Sequence, residues 1–346
     1  MTLADQYDLL LLDLDGVVYV GEQAVPGAAQ ALAEVRRRGT PVCYVTNNAS
    51  RSPGDVADLL SRVGVPAGAD EVLTSAQAAA ELLVERFPTG SPVLVVGTAA
   101  LGQQVAICGL TPVSTAADKP VAVVQGYGPE VSWRHLAEAA VALNDGAFWV
   151  ATNTDRSVPS ERGPLPGNGA LVAAVAMATG KEPDVVVGKP QPELFAAAVR
   201  RVGARRPLVI GDRLDTDIEG AIQAGYDSVL VLTGVTTAAE ALAASVKRRP
   251  DYLAADLNDL VARYPAITTT RDGGVRCRGW TVSIAAGQFR LDGAGSPVDA
   301  LRALATAVRL RPSLLWNRIM PGCDTAGQAL RQLGLPEVAS SSKQRP

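Results

Sequence analysis

Histidine is nearly missing from this chain of 346 residues, which holds one, His135, within Trp133-Arg134-His135-Leu136-Ala137-Glu138. That stretch reads as an ordinary helix, so a Ser/His/Asp relay and a two-histidine metal site are both disfavoured. Cysteine is scarce too. Cys43, Cys108, Cys277 and Cys323 are far apart with no CxxC pair, and Met1-Thr2-Leu3-Ala4-Asp5 lacks the basic-then-apolar layout of a secretion signal. The expectation is reduced thiols in a cytoplasmic protein. No apolar run reaches the roughly 18 residues that span a bilayer, which predicts a soluble chain with no membrane association. Aromatic residues are 4% of the chain, and 32 basic against 35 acidic residues give a net charge of −3. Neither sign dominates a long stretch, so a general nucleic-acid or membrane-surface binder is disfavoured.

The chain is rich in apolar runs of strand length that alternate with Ala/Leu-rich helical stretches. This is the pattern of an α/β protein with a parallel sheet covered on both faces. Four runs stand out: Leu9–Leu12, Val42–Val45, Val185–Val187 and Leu208–Ile210. Each ends abruptly in polar residues: Asp13-Leu14-Asp15-Gly16, Thr46-Asn47-Asn48, Gly188-Lys189-Pro190 and Gly211-Asp212-Arg213. Ligands of open α/β sheets bind outside the carboxyl ends of the strands, so the four endings are expected to meet in one crevice.

About 140 residues separate the second and third runs, where a simple crossover needs only a dozen or more. With expected strands at 93–96, 121–124 and 148–151 and helices at 131–143 and 169–179, this stretch reads as an inserted domain at 88–186. The core is then 1–87 plus 187–265. A Thr- and Gly-rich break without periodicity at 268–274 precedes a small module at 270–338. There 280–284 and 288–291 form an expected hairpin, and Leu301, Leu304, Ala305 and Val308 share one helix face. Residues 339–346 read as a disordered tail.

Asp13 and Asp15, two apart at a strand tip, are carboxylates that repel unless one is neutralised or protonated. Magnesium, a hard cation that takes carboxylate and phosphate oxygens, would neutralise them, and Asp212 and Asp217 add further carboxylates. Lys189 is one of only five lysines, a compact charge suited to phosphate. Thr46 and Asn47 offer a hydroxyl and an amide to phosphoryl oxygens. Taken singly, each has a plain alternative: turn chemistry for the DxD, a surface lysine, and an N-cap for a helix near Pro53. Together, four such coincidences at four strand ends are improbable. Phosphate-monoester hydrolysis needs accelerations of up to ~10²¹, whereas one general acid or base supplies about 10²–10⁴, so a nucleophile, an acid, a metal and a cation are all required.

In order, Asp13-Leu14-Asp15-Gly16-Val17, Thr46-Asn47-Asn48, Gly188-Lys189-Pro190 and Gly211-Asp212-Arg213-Leu214-Asp215-Thr216-Asp217 resemble the four motifs of the haloacid-dehalogenase (HAD) superfamily of phosphatases. The insert resembles its C2-type cap on a Rossmann-like core. Ala151-Thr152-Asn153-Thr154-Asp155 and Pro166-Gly167-Asn168-Gly169 are similar to the branch of 4-nitrophenylphosphatases, phosphoglycolate phosphatases and glycerol-phosphate phosphatases. The resemblance spans 7–262 and leaves out the small C-terminal α+β module. It implies that Asp13 is the nucleophile and Asp15 the general acid and base. Magnesium would be held by the Asp13 and Asp212 carboxylates and the Asp15 main-chain carbonyl, with Asp217 orienting that shell from behind. Thr46, Asn47 and Lys189 would bind the phosphoryl group.

The cap is expected to choose the substrate. Asn153 and Asp155 are candidates to face the leaving group, against the alternative of turn residues that satisfy their own backbone. The Gly163–Gly169 run either offers N–H groups to a second anion or simply enters a helix, and Arg156 and Arg162 are weaker cationic candidates. The reading is a magnesium-dependent phosphatase for a small phosphorylated metabolite, glycerol 3-phosphate first. Phosphoglycolate, or a broad range including 4-nitrophenyl phosphate and pyridoxal phosphate, is the alternative. A phospho-acceptor signalling module or a regulatory binding protein is the alternative of another class, and a homo-oligomer formed through the cap is an open possibility.

Overall fold

A computed structural model describes residues 1–158, 162–285 and 287–337; the expected tail at 339–346 lies outside them. Three sheets organise the chain. The core sheet has six strands, all paired in parallel, in the spatial order Tyr252–Ala254, Asp227–Val231, Pro207–Gly211, Leu9–Leu12, Val42–Thr46, Val72–Thr74. Strand side chains alternate between faces, and the four leucines of the first strand show it. Leu10 and Leu12 join Leu208, Ile210 and Tyr44 in one apolar cluster, while Leu9 and Leu11 join Val209, Cys43 and Val45 in another. Because helices cover both faces, the strands read as unbroken apolar runs.

The second sheet, also wholly parallel, runs Val185–Val186, Phe148–Ala151, Ala122–Gln125, Pro92–Val96, Thr111–Val113. Its helices include Trp133–Asn144 and Asn168–Thr179. His135 lies in the first turn of the former, where its Nδ1 accepts the Ser132 N–H at 3.1 Å. The run at 185–187 is therefore not a core strand, as its apolar character suggested. Val185 and Val186 pair with Val150 and Ala151 and close the edge of the inserted sheet, and the chain then crosses to the core carrying Lys189.

The third sheet is antiparallel from Ile267–Thr269 through Val275–Cys277 and Trp280–Ala285 to Gln288–Gly293, with Ile319–Pro321 added in parallel. The expected 280–291 hairpin and the Pro297–Leu310 helix form. The break expected at 268–274 instead begins with a strand. Ile267, Thr268 and Thr269 pair with Cys277, Arg276 and Val275 around a turn closed by the Thr270 N–H on the Gly274 carbonyl at 2.9 Å.

Candidate active site

The chain leaves the first core strand toward Val42–Thr46 on one side and later returns to Pro207–Gly211 on the other. That reversal opens a crevice at the carboxyl ends of the two strands. Asp13 follows the first and Asp212 the second, Thr46 and Asn47 end the neighbouring strand, and Lys189 arrives from the edge of the inserted sheet. The Lys189 ammonium, only 3% exposed, donates to Asp13 Oδ1 at 2.6 Å, to Asp217 Oδ1 at 2.7 Å and to the Val45 carbonyl at 3.4 Å. Asp13, Asp212 and Asp217 each bring an oxygen within 4.8 Å of the others.

One ammonium against three carboxylates leaves two negative charges uncompensated. Burial, and then the charge of Asp217, lift the Asp212 carboxyl to about 6. Burial lifts Asp217 to about 6 as well, against the pull of Lys189 and with the push of Asp13. Asp13 is raised by burial against the pull of Lys189. Burial would discharge Lys189, but Asp13 and Asp217 outweigh it and keep the ammonium protonated. Asp212 Oδ2 accepts the Val235 N–H at 2.6 Å, whereas its buried Oδ1 has no hydrogen-bond partner among the described residues. The backbone presses close around it: at Gly16, whose φ is +82°, a Cβ would lie 2.5 Å from Asp212 Oδ2, and a Cβ at Gly234 would clash with the same atom. A buried carboxylate oxygen without a donor, amid two excess negative charges, fits a hard divalent cation such as magnesium.

The other sequence candidates take different places. The Asp15 side chain is exposed and outside the carboxylate cluster, and what burial it has raises its pKa. Its loop is set by the Gly16 N–H on the Tyr19 carbonyl at 2.8 Å and the Thr233 hydroxyl on the Gly16 carbonyl at 2.6 Å. Thr46 Oγ1 accepts the Asn48 N–H at 3.1 Å, which leaves its hydroxyl hydrogen to donate. The Asn47 amide clamps the Lys189 main chain: Oδ1 accepts the Lys189 N–H at 2.8 Å, and Nδ2 donates to the Lys189 carbonyl at 3.0 Å and to Asp155 Oδ2 at 3.3 Å. Buried Asn153 donates to the Asn47 carbonyl at 2.7 Å and accepts the Asp155 N–H at 3.1 Å. Asp155, raised by burial against the donor of Asn47, stands beside this clamp. The N–H groups of Gly167 and Gly169 are spent on the Arg156 and Asp155 carbonyls, both at 2.9 Å.

Sequence reasoning did not find the Thr233-Gly234-Val235 loop around Asp212. The signal was present, since the strand Asp227–Val231 also ends in a polar, glycine-bearing turn. It also did not find the Tyr19–Val20 and Gln23–Ala24 hairpin beside Asp15, whose two-residue strands carry no period to read.

A family model for haloacid dehalogenase-like hydrolases matches residues 10–111, and a second HAD-hydrolase-like model matches 186–260. The chain belongs to this family. A model of a GCN5-related N-acetyltransferase like domain matches 277–335. The D-glycerol 3-phosphate phosphatase of Mycobacterium tuberculosis is 43% identical over 96% of both chains. The acid sugar phosphatase of Staphylococcus saprophyticus is 39% identical over 74% of this chain and 97% of its own. Among solved structures, the M. tuberculosis glycerol phosphate phosphatase in complex with magnesium superimposes with a TM-score of 0.86 at 44% identity, covering 96% of this chain and 98% of that one. The 4-nitrophenylphosphatase of Thermotoga maritima gives 0.70 at 31% identity, over 75% and 98%.

Proposed function

We propose that this hydrolase is a magnesium-dependent phosphatase that cleaves glycerol 3-phosphate through an aspartyl-phosphate on Asp13. The observation that carries the reading is Lys189, buried with its ammonium on Asp13 and Asp217 while Asp212 keeps a buried oxygen without a donor. The substrate follows the relative whose match extends over 96% of the chain rather than 74%. The free thiols of Cys43 and Cys277, both buried, support a cytoplasmic setting.

Asp13 attacks phosphorus in line; the bond from phosphorus to its carboxylate oxygen forms as the bond to the glycerol oxygen breaks. Asp15 holds its proton more tightly than an ordinary aspartate and gives it to the departing alkoxide. It then takes a proton from the water that attacks the aspartyl-phosphate, which frees inorganic phosphate and restores Asp13. Lys189, the Thr46 hydroxyl and the main-chain N–H of Asn47 bind the phosphoryl oxygens, since the Asn47 amide is spent on the Lys189 loop. The Asp13 and Asp212 carboxylates and the Asp15 carbonyl would hold magnesium with Asp217 behind them; when bound it supplies the positive charge that keeps Asp13 ionised. Asn153 and Asp155 border the leaving-group side from the cap.

Phosphate release from glycerol 3-phosphate, phosphoglycolate, 4-nitrophenyl phosphate, pyridoxal phosphate and a nucleoside monophosphate, each with and without magnesium, tests the reading. Glycerol 3-phosphate is expected to have the highest kcat/KM, with activity lost on chelation. A higher value for phosphoglycolate would reassign the substrate, and a stable phosphoprotein without turnover would reassign the class.

A further inference from the structure

The Pro166-Gly167-Asn168-Gly169 turn has no part in the chemistry above, yet Asn168 is 1% exposed and its side chain points at the carboxyl ends of two cap strands. Its Nδ2 donates to two carbonyls at once, Asn153 at 2.7 Å and Gln125 at 3.2 Å. Asn153 in turn donates to the Asn47 carbonyl at 2.7 Å, and the Asn47 amide grips both main-chain groups of Lys189. A line of three neutral amides thus joins the start of a cap helix to the main chain of Lys189, the residue whose ammonium lies on Asp13. The flanking glycines allow the approach. A Cβ at Gly167 or Gly169 would run into the Asp155 or Thr154 carbonyl, and one at Gly188 would lie 2.8 Å from Asn47 Oδ1. Asn168 Oδ1 is buried without a partner among the described residues, so the bonds that hold the side chain are those its Nδ2 donates.

We propose that Asn168 is a positioning residue for the phosphatase reaction: through Asn153 and Asn47 it sets the place of Lys189 and ties the seating of the cap to the grip on phosphate. The proposal rests on the phosphate-binding role of Lys189 given above. Misplacing a catalytic group by about 1 Å costs on the order of 10²-fold in rate; losing one remote member of a chain is expected to cost about tenfold.

The test compares full-length wild type, Asn168→Ala and Val172→Ala, the last altering a buried residue one turn along the same helix. Asn168→Ala is expected to lower kcat/KM for glycerol 3-phosphate and weaken inhibition by inorganic phosphate, each about tenfold. Val172→Ala is expected to lower Tm and leave both constants within twofold. If Asn168→Ala does not accumulate folded, Asn168→Ser, whose hydroxyl reaches one carbonyl, carries the same comparison. Unchanged constants in the Asn168 variant, or equal losses in the Val172 variant, overturn the relay alone. A wild type that releases no phosphate overturns the functional reading and the relay with it.

Discussion

The cap and the C-terminal module both lean on the core sheet, the one through small neutral groups and the other through a buried charge. At the cap, Leu101, Val105, Val124 and Val150 share an apolar cluster with Ala49 and Val187, and the polar bonds across the seam include those of the Asn153 amide on the Asn47 carbonyl, of the Asn47 amide on the Asp155 carboxylate and of the Thr98 hydroxyl on the Ser50 carbonyl, with the same Asn47 amide on the Lys189 main chain. At the module, Leu301, Leu304 and Ile319 share a cluster with Leu230, Leu242 and Leu253. Arg302, 2% exposed, donates to the Leu253 carbonyl and Asp259, both at 2.8 Å, and to Asp299 at 2.6 Å, with its guanidinium 4.5 Å from the centre of the Tyr264 ring. One seam is made of residues that also hold Lys189 against Asp13, so disturbing it is expected to cost rate. The other bypasses the crevice, so disturbing it costs stability.

The largest effect belongs to neither seam and sets the floor for both. Asp13→Asn is expected to remove turnover while leaving circular dichroism and Tm close to wild type, because it deletes one of three crowded carboxylates. Full activity in that variant ends the nucleophile assignment. Next, Arg302→Ala takes the buried guanidinium away from Asp299 and Asp259, leaving Asp299 only the 3.5 Å pair with the half-exposed Arg278, and is expected to cost about 3 kcal/mol in urea unfolding, the usual result of breaking a buried pair. The kcat of the folded fraction is expected to stay within threefold. A fall in kcat without loss of stability would erase the contrast between the seams. Asn47→Ala should do the reverse: kcat/KM about 10²-fold lower, with a small change in Tm.

The smallest effect is a shift with pH. Asp212 and Asp217 titrate near 6 in the folded, metal-free protein, against an ordinary 3.8. Groups raised in this way stabilise the fold below about pH 4 and lose that contribution as pH rises through 6. The Tm gain on adding magnesium is therefore expected to be larger at pH 7.5 than at pH 5, by a few degrees in a thermal scan. An equal gain at both values would show that the carboxylates are not crowded.

Charged residues at the ends of apolar strands were readable in the sequence, because turn chemistry or a surface lysine explains Asp13, Lys189 or Asp212 singly but not all of them together at such places. Which sheet an apolar run joins was not readable. Val185–Val187 looks the same whether it pairs with Val150 and Ala151 or with a core strand, since both sheets are covered on both faces. Ile267–Thr269 hid because it is short and at the edge of its sheet, where Thr268 and Thr269 face water. The amide line hid for another reason. A neutral asparagine at a helix start reads as a local turn residue, and the bond from Asn153 to Asn47 spans 106 positions.

The pairing of Asp13 with Lys189 bridges 176 positions, and this has a bearing on how the enzyme comes into being. During synthesis Asp13 leaves the ribosome early, at the end of a strand of four leucines whose neighbour Pro207–Gly211 has not yet been made. For more than half the length of the message that strand must stay unpaired on one side, a state prone to aggregation. The nascent chain cannot spill activity before Asp217, well past its midpoint, has been made, and that is the interval in which a chaperone has most to do.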